Sequence, residues 1–378
     1  MNPPIDNDIV IGKTDSLYSD LLGEQRKFWV YIPNSFHFSR YTAQKQYPVA
    51  YLLDGDVHFL SFCGMVEHLS EENNNHICPD MIVVGILNTN RTRDMTPDTD
   101  TAMQQPTGGG KKFADFLQNE LMPYINKRYH PAPYNLLIGH SYAGLEALHI
   151  LADRPGLFKS VVAIDPSLSW NKAAGKKYLT EKLAANKLHG QSLFIGIANT
   201  MNCDMPLKQL MADTSSENAH MRANLEFVEL LRRQHLPDLR WDYNYYDDED
   251  HSSVTIRALY DGLHFIFREY PFVAGATLLD TATSAVAACS MLHLHFLNMS
   301  AQMGYSVYPP EKLVDGFAEQ AMQLGQNGKA LALLKMNQAN YPGAASVYLK
   351  LAAYFRKQGN TDSAMCYQKL AGKPVARQ

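Results

Sequence analysis

In LLIGHSYAGLEAL, residues 136–148, an apolar run stops at Gly139, a serine follows two residues later, and a helical pattern begins at once. A chain bends that sharply around one hydroxyl in a nucleophile elbow. There the serine sits on a tight strand-to-helix turn, and small neighbours leave room for strained backbone. An ordinary βα turn is the alternative. The stretch Gly139-His140-Ser141-Tyr142-Ala143 departs from G-x-S-x-G at its last position, where alanine stands and Gly144 follows. Alanine is still small enough for strand and helix to pack closely.

On either side of this turn, short β-branched or aromatic runs recur at 28–33, 49–55, 81–87, 134–139, 160–165, 192–198 and 240–246. Most are apolar on both faces, as strands covered on both sides are. Helical patterns lie between them: Phe113, Phe116, Leu117, Leu121 and Ile125 repeat at helical spacing, and Leu145, Leu148 and Leu151 continue beyond Ser141. This alternation predicts an α/β fold, a mostly parallel sheet flanked by helices.

The chain has 378 residues, 46% hydrophobic and 19% charged, with a formal charge of −4. That suits a globular protein with one large domain and a smaller one. No run of like charges gives a nucleic-acid footprint. The five cysteines are scattered without a CxxC pair and read as small core residues, not as a disulfide framework or zinc site. MNPPIDNDIVIGKTDSLYSD lacks the basic and apolar regions of a secretory signal, so the expectation is cytoplasmic for the chain as given, periplasmic or secreted if a signal peptide was removed. Polar residues interrupt the apolar stretch 272–297, which reads as packed helix and not as a membrane span.

In a parallel sheet, ligands bind beyond the carboxyl ends of the strands, where several of these runs open into polar segments. Serine at an elbow, then an acid, then a histidine is the chain order of the α/β-hydrolase triad. The candidates are Ser141, Asp204 and His251. A serine hydroxyl needs an imidazole to take its proton during attack. A carboxylate then fixes the imidazole tautomer and stabilises the imidazolium. Asp213 and Glu217 lie in the same connection as Asp204 and stay open as rivals, whereas Asp250, adjacent to His251, reads as solvated charge.

The segments YPVAYLLDGD, NRTRDMTP, FADFLQNELMPYI, GHSYAG and YYDDEDHSSV occur in that order between about Leu17 and Tyr270. Together they resemble the esterase D-type family, most closely its siderophore-esterase (IroE-like) branch. The resemblance implies an α/β-hydrolase fold, a serine esterase acting on a small-molecule ester, and no metal or organic cofactor. It carries Ser141 over as nucleophile and His251 as general base. Members of this branch can work with a serine-histidine pair, which leaves the third member open.

Acyl transfer also needs donors for the developing oxyanion. The main-chain amide of Tyr142 is one, and the glycine turn after an earlier strand, at Gly55 or Asp56, offers the second. Arg91 and Arg93 are expected beside the substrate pocket, with an ion-paired structural loop as the equal alternative. Trp170 is expected to wall the pocket or to pack as a core aromatic. His140 is expected to project away from the nucleophile, and His149 to be packing. His293 and His295, two apart, face different sides of a helix and make a poor metal pair.

Beyond Tyr270 the pattern is helical, and residues 317–334 align with 351–368 at a period of 34, pairing Gly325 with Gly359 and Ala330 with Ala364. That is the tetratricopeptide period. The expected organisation is a hydrolase domain over 1–272, a helical connection over 273–308 and a small all-α tetratricopeptide-like module over 309–378. Two repeats are too few to stand alone, so the module is expected to dock on the domain, on a protein partner or on itself. Two other uses of the chain remain at this point, an acyltransferase employing the same serine and a non-catalytic scaffold acting through the repeats.

Overall fold

A computed structural model describes the chain except residues 1–8, 40–44, 174, 189, 202–204, 235 and 373–378, with backbone alone at 37–39, 72, 172 and 173. Eight strands form one sheet. They are β1 (Lys13–Ser19), β2 (Glu24–Tyr31), β3 (Val49–Leu52), β4 (Ile82–Ile86), β5 (Asn135–His140), β6 (Ser160–Ile164), β7 (Gln191–Ala198) and β8 (Leu239–Tyr246). Their spatial order is β1-β2-β4-β3-β5-β6-β7-β8. The pairs β1/β2 and β2/β4 are antiparallel, and every other pair is parallel.

Burial explains which strands were legible. Every residue of β3, β4, β6 and β7 is buried, so each reads as a continuous apolar run. In contrast, β1 is the polar segment KTDSLYS, mostly exposed at the sheet edge, and carries no such signal. Helix Tyr142–Asp153 packs on β5 and β6, and helix Val254–Ile266 packs on β6 and β7. From β3 the chain order runs outward both ways, to β4 on one side and β5 on the other. That reversal is where open α/β sheets place their ligands.

Two compact units are distinguished. The first comprises 1–32, 48–65 and 81–266 and contains the sheet. The second comprises 33–47, 66–80 and 267–378. It therefore takes up the chain at Phe267 and draws in two earlier segments that the sequence reading assigned to the hydrolase domain. The reason is polar and long-range. Lys45 Nζ donates to Glu71 Oε2 at 2.7 Å and to Asp80 Oδ2 at 2.8 Å, and the Tyr270 hydroxyl donates to Glu71 Oε1 at 2.9 Å.

Within the second unit, helices Glu311–Gln323 and Ala345–Lys357 begin 34 residues apart, as do Asn327–Asn340 and Thr361–Ala371. Gly325 and Gly359 turn each pair at φ +74 and +72, a left-handed conformation glycine adopts without a Cβ clash. Of the cysteines, Cys63 and Cys78 are buried, but Cys289 is half-buried and Cys366 exposed, so the core reading holds for two. Cys203 lies outside the described residues. Among the described residues, no helix is long and apolar enough to cross a membrane.

The tightest backbone approach in the sheet unit is at the elbow, where a Cβ on Gly139 would collide with the carbonyl of Ala143. Main-chain atoms cannot step aside as a side chain does. Gly139→Ala is therefore expected to cost about 1–3 kcal/mol, the usual penalty of overpacking. Urea unfolding followed by circular dichroism checks this, and an unchanged midpoint would show that the turn has slack.

Candidate active site

Ser141 ends the step from β5 into helix Tyr142–Asp153 with φ 61 and ψ −120, a conformation that costs a non-glycine residue free energy and persists only where the surroundings impose it. The surroundings here are main-chain bonds to the next strand. Ser141 N donates to Ile164 O at 2.9 Å, and Ser167 N donates to Ser141 O at 3.1 Å. These two bonds join the carboxyl ends of β5 and β6 directly at the serine.

A hydrogen-bond chain starts from its hydroxyl. Ser141 Oγ lies 3.1 Å from His251 Nε2, and His251 Nδ1 lies 2.5 Å from Asp165 Oδ2. An ionised carboxylate only accepts, so the ring nitrogen facing Asp165 carries the proton and Nε2 is left to accept from the serine. The Ser167 hydroxyl is a second neighbour of Ser141 Oγ, at 3.2 Å. Asp165 follows β6 directly, with φ 38, and is fully buried. Burial opposes its charge, but hydrogen bonds from His220 and His251 more than offset that and hold the carboxyl down at about 2. His220 Nε2 donates to the same Oδ2 at 2.9 Å, and the Ala198 amide donates to Oδ1 at 3.2 Å.

The carboxylate that His251 Nδ1 meets is Asp165; Asp204, the acid expected from the sequence, lies outside the described residues. His251 Nδ1 has one N–H to donate, and Asp165 accepts that hydrogen bond. Asp213 instead accepts from the Ser215 hydroxyl and the Asn218 side chain, a local turn. Glu217 is exposed, and Asp250 accepts from the amides of Ser252 and Ser253 ahead of helix Val254–Ile266. One signal could have found Asp165: the run SVVAID ends in it, immediately before Pro166.

His140 does not project away. Its Nε2 donates to the main-chain carbonyl of His251 at 2.7 Å, and the two rings lie 4.6 Å apart. Burial first, and the neighbouring His251 second, push its pKa down to about 4. It is uncharged at neutral pH and holds the main chain at His251 in place.

The expected oxyanion donors open two helices. Tyr142 begins the elbow helix, and Gly55 and Asp56 begin helix Gly55–Leu69 after β3. The first amides of a helix have no partner within it and remain free to donate outward. Arg91 braces this arrangement. Its Nε and one terminal nitrogen grip Asp54 at 2.7 and 2.8 Å, and the latter also reaches His140 O at 3.2 Å. The guanidinium also lies over the Tyr142 ring, 5.5 Å from its centroid. One side chain therefore ties the end of β3 to the end of β5.

Arg93 is committed elsewhere, donating to Glu24 at 2.6 Å and to Asp94 at 2.7 Å, with Arg26 buried against the same two acids. For Arg91 and Arg93 the ion-paired structural reading describes the observed contacts. Trp170 is half-buried, packs edge-on to Tyr142 at 5.4 Å and donates from Nε1 to Asp98 at 2.6 Å. It stands as a wall beside the residue that follows the serine.

Asp165, His220 and His251 place one ligand atom each within 4.8 Å, close enough to share a metal ion. The hydrogen-bond chain employs those same atoms. Both imidazoles point a proton at one carboxylate oxygen, and His251 turns its other nitrogen to Ser141, which is the arrangement for moving a proton.

Residues 19–233, more than half of the chain, match the family described as "Putative esterase". The chain is 26% identical over 251 residues to the siderophore enterobactin esterase of Emericella nidulans, covering 57% of this chain and 80% of that protein. It is 27% identical over 267 residues to the siderophore triacetylfusarinine C esterase of Aspergillus fumigatus, covering 61% and 85%. An IroE-like serine hydrolase from Shewanella oneidensis superposes with a TM-score of 0.70 at 26% identity, covering 87% of this chain and 99% of that one. Family match, esterase relatives and the serine-hydrolase neighbour agree on ester hydrolysis over acyl transfer. The chain belongs to this esterase family and is a carboxylic-ester hydrolase.

Proposed function

We propose that the chain hydrolyses siderophore-type esters through an acyl-enzyme, with Ser141 as nucleophile, His251 as base and Asp165 as its orienting carboxylate. The observation that carries the roles is the unbroken chain Ser141 Oγ, His251 Nε2, His251 Nδ1, Asp165 Oδ2. His251 takes the hydroxyl proton as Ser141 attacks the ester carbonyl, then returns it to the leaving alcohol. Water repeats the sequence and releases the acid. The buried Asp165 charge stabilises the imidazolium in between. The amides of Tyr142 and of Gly55 or Asp56 receive the oxyanion, each donor being worth about 10²–10³-fold in rate. The substrate class rests on the activities of the two fungal relatives.

Ser141→Ala is expected to abolish both labelling by an active-site phosphonate and turnover of enterobactin, followed by mass spectrometry of the products. The intact enzyme should show a kcat/KM towards enterobactin or triacetylfusarinine C at least about 10²-fold above that for nitrophenyl acetate, a difference of roughly 3 kcal/mol in transition-state binding. Comparable values for all three would remove the siderophore assignment and leave a general esterase.

Asp165→Asn should lower kcat by about 10³–10⁴-fold, because an amide cannot stabilise imidazolium and favours the wrong tautomer. A loss below tenfold would mean that the serine and histidine work as a pair.

The same residue predicts a pH dependence of stability. The unfolded carboxyl titrates near 3.8 and the folded one near 2, so the unfolded state binds more protons between these values and stability rises with pH across them. The contribution, about 2 kcal/mol, is complete above pH 4 and is lost as pH falls through 2. Urea unfolding of wild type and Asp165→Asn, compared from pH 5 downwards, should show the gap narrowing as the carboxylate protonates.

A further inference from the structure

Two imidazoles donate to Asp165 Oδ2, and only His251 has a place in the chemistry so far. The other, His220, stands 55 positions along the chain from Asp165. It is the second residue of helix Ala219–Arg233, which packs on β7, the strand beside β6. The start of that helix is tied down locally. Asp213 accepts from the Asn218 side chain at 2.7 Å and from the Ser215 amide at 3.0 Å, and Arg222 reaches back from the first turn to Ser215 O at 3.1 Å. Asn224, buried one turn beyond His220, donates to His220 O at 3.2 Å.

An ionised carboxylate only accepts, so His220 Nε2 carries a proton where it faces Asp165. With N–H groups at 2.9 and 2.5 Å, Oδ2 has one donor for each of its two lone pairs, and Oδ1 accepts the Ala198 amide at 3.2 Å. Three donors from three segments fix the plane of this buried carboxylate. The His220 ring also stands edge-on to the His251 ring, with centroids 5.1 Å apart and planes at 88°. His220 does not touch the serine. Among the described residues, Ser141 Oγ has His251 Nε2 and the Ser167 hydroxyl as its hydrogen-bond partners.

The ionisable groups that meet His220 are Asp165, after β6, and His251, ahead of helix Val254–Ile266. Beyond them His140, at the end of β5, lies against the His251 ring at 4.6 Å. On the segment of His220 itself, Arg222 and Asp213 pair with each other at 3.7 Å. An N–H on Oδ2 draws off part of the negative charge that stabilises a His251 imidazolium. Without that N–H the carboxylate is both looser and more basic, so the Asp165–His251 couple takes up its proton at higher pH.

We propose that His220 is a positioning residue for ester hydrolysis, whose Nε2–H holds the Asp165 carboxylate in the plane that aligns His251 with Ser141 and moderates the basicity of that couple. The proposal rests on the reading of Ser141, His251 and Asp165 as the catalytic chain, and not on which ester is cleaved.

His220→Phe keeps a ring and lacks the donor. With nitrophenyl acetate as substrate it should lower kcat about 10–100-fold, the worth of one hydrogen bond to a charged group, and leave KM within about threefold. The acid limb of kcat/KM should move to higher pH by about half a unit or more, which a general loosening of the fold would not produce. His220→Gln, which offers an N–H at similar reach, should restore kcat to within about fivefold of wild type and return the limb to its place. Placed in an Asp165→Asn background, His220→Phe should change kcat by less than about threefold, because the residue it acts through is gone. In the wild-type enzyme, imidazole nitrogen NMR with signals assigned through bonds should find His220 protonated at Nε2 at neutral pH, a readout that needs no variant to fold.

An unprotonated Nε2, a folded His220→Phe enzyme with kcat within about threefold of wild type and an unmoved limb, or an equal loss with and without the Asp165 carboxylate would each overturn the proposal. An Asp165→Asn loss below about tenfold would instead bring down the catalytic chain itself. A large Asp165→Asn loss beside a silent His220→Phe would remove His220 alone.

Discussion

Ser141 is held in a backbone conformation that it would not adopt alone, and much else in the sheet unit follows from that constraint. The strain is sustained by the Ser141 N bond to Ile164 O and the Ser167 N bond to Ser141 O, which fasten the ends of β5 and β6 to each other at Ser141. Because the fastening lies at the end of β6, the next residue of that strand, Asp165, is delivered to the site as well. Gly139 permits the helix to approach closely enough for this to happen. Strain in the turn thus fixes the serine and the carboxylate within one set of main-chain bonds.

The charges around the site follow one logic. Asp165 is the buried anion, and two ring N–H groups and an amide keep it ionised. Close to it stands His140, whose burial keeps it neutral beside the His251 ring. His58 meets His140 edge-on at 5.7 Å and is likewise pushed down by burial. Several histidines can gather at one centre without repulsion because burial removes the charge from those that only position others.

Arg91 does for the turn after β3 what the main-chain bonds do for Ser141. Its bidentate grip on Asp54 and its reach to His140 O fix the turn after β3 against the elbow. The spacing between the openings of the two helices is thereby set by a charged fork instead of by loop length. Such a fork is rigid, and lysine could not reproduce it.

The sequence carried most of the sheet and the two residues that the hydrogen-bond chain joins, Ser141 and His251. Buried strands advertise themselves as apolar runs, which made β3, β4, β6 and β7 legible, and the aromatic runs of β2 and β8 read as strands too; the turn at Ser141, between a strand and a helix, was legible from its small neighbours. Strand β1 was not, since its segment KTDSLYS is polar, lacks an aromatic or β-branched run and is mostly exposed. Nor was the acid. Ser…Asp…His gives an order but no distance, and several carboxylates satisfy it; Asp165 is distinguished by burial and by a 2.5 Å approach to His251 across 86 positions of chain. Arg91 and Arg93 look alike in sequence and diverge in space, one bracing the elbow and the other pairing with β2. Local pattern records which face of an element is apolar, and so it specifies the elements and their order. Partners for polar groups are chosen only when distant segments meet, which is why the acid, the brace and the composition of the second unit were fixed by tertiary folding.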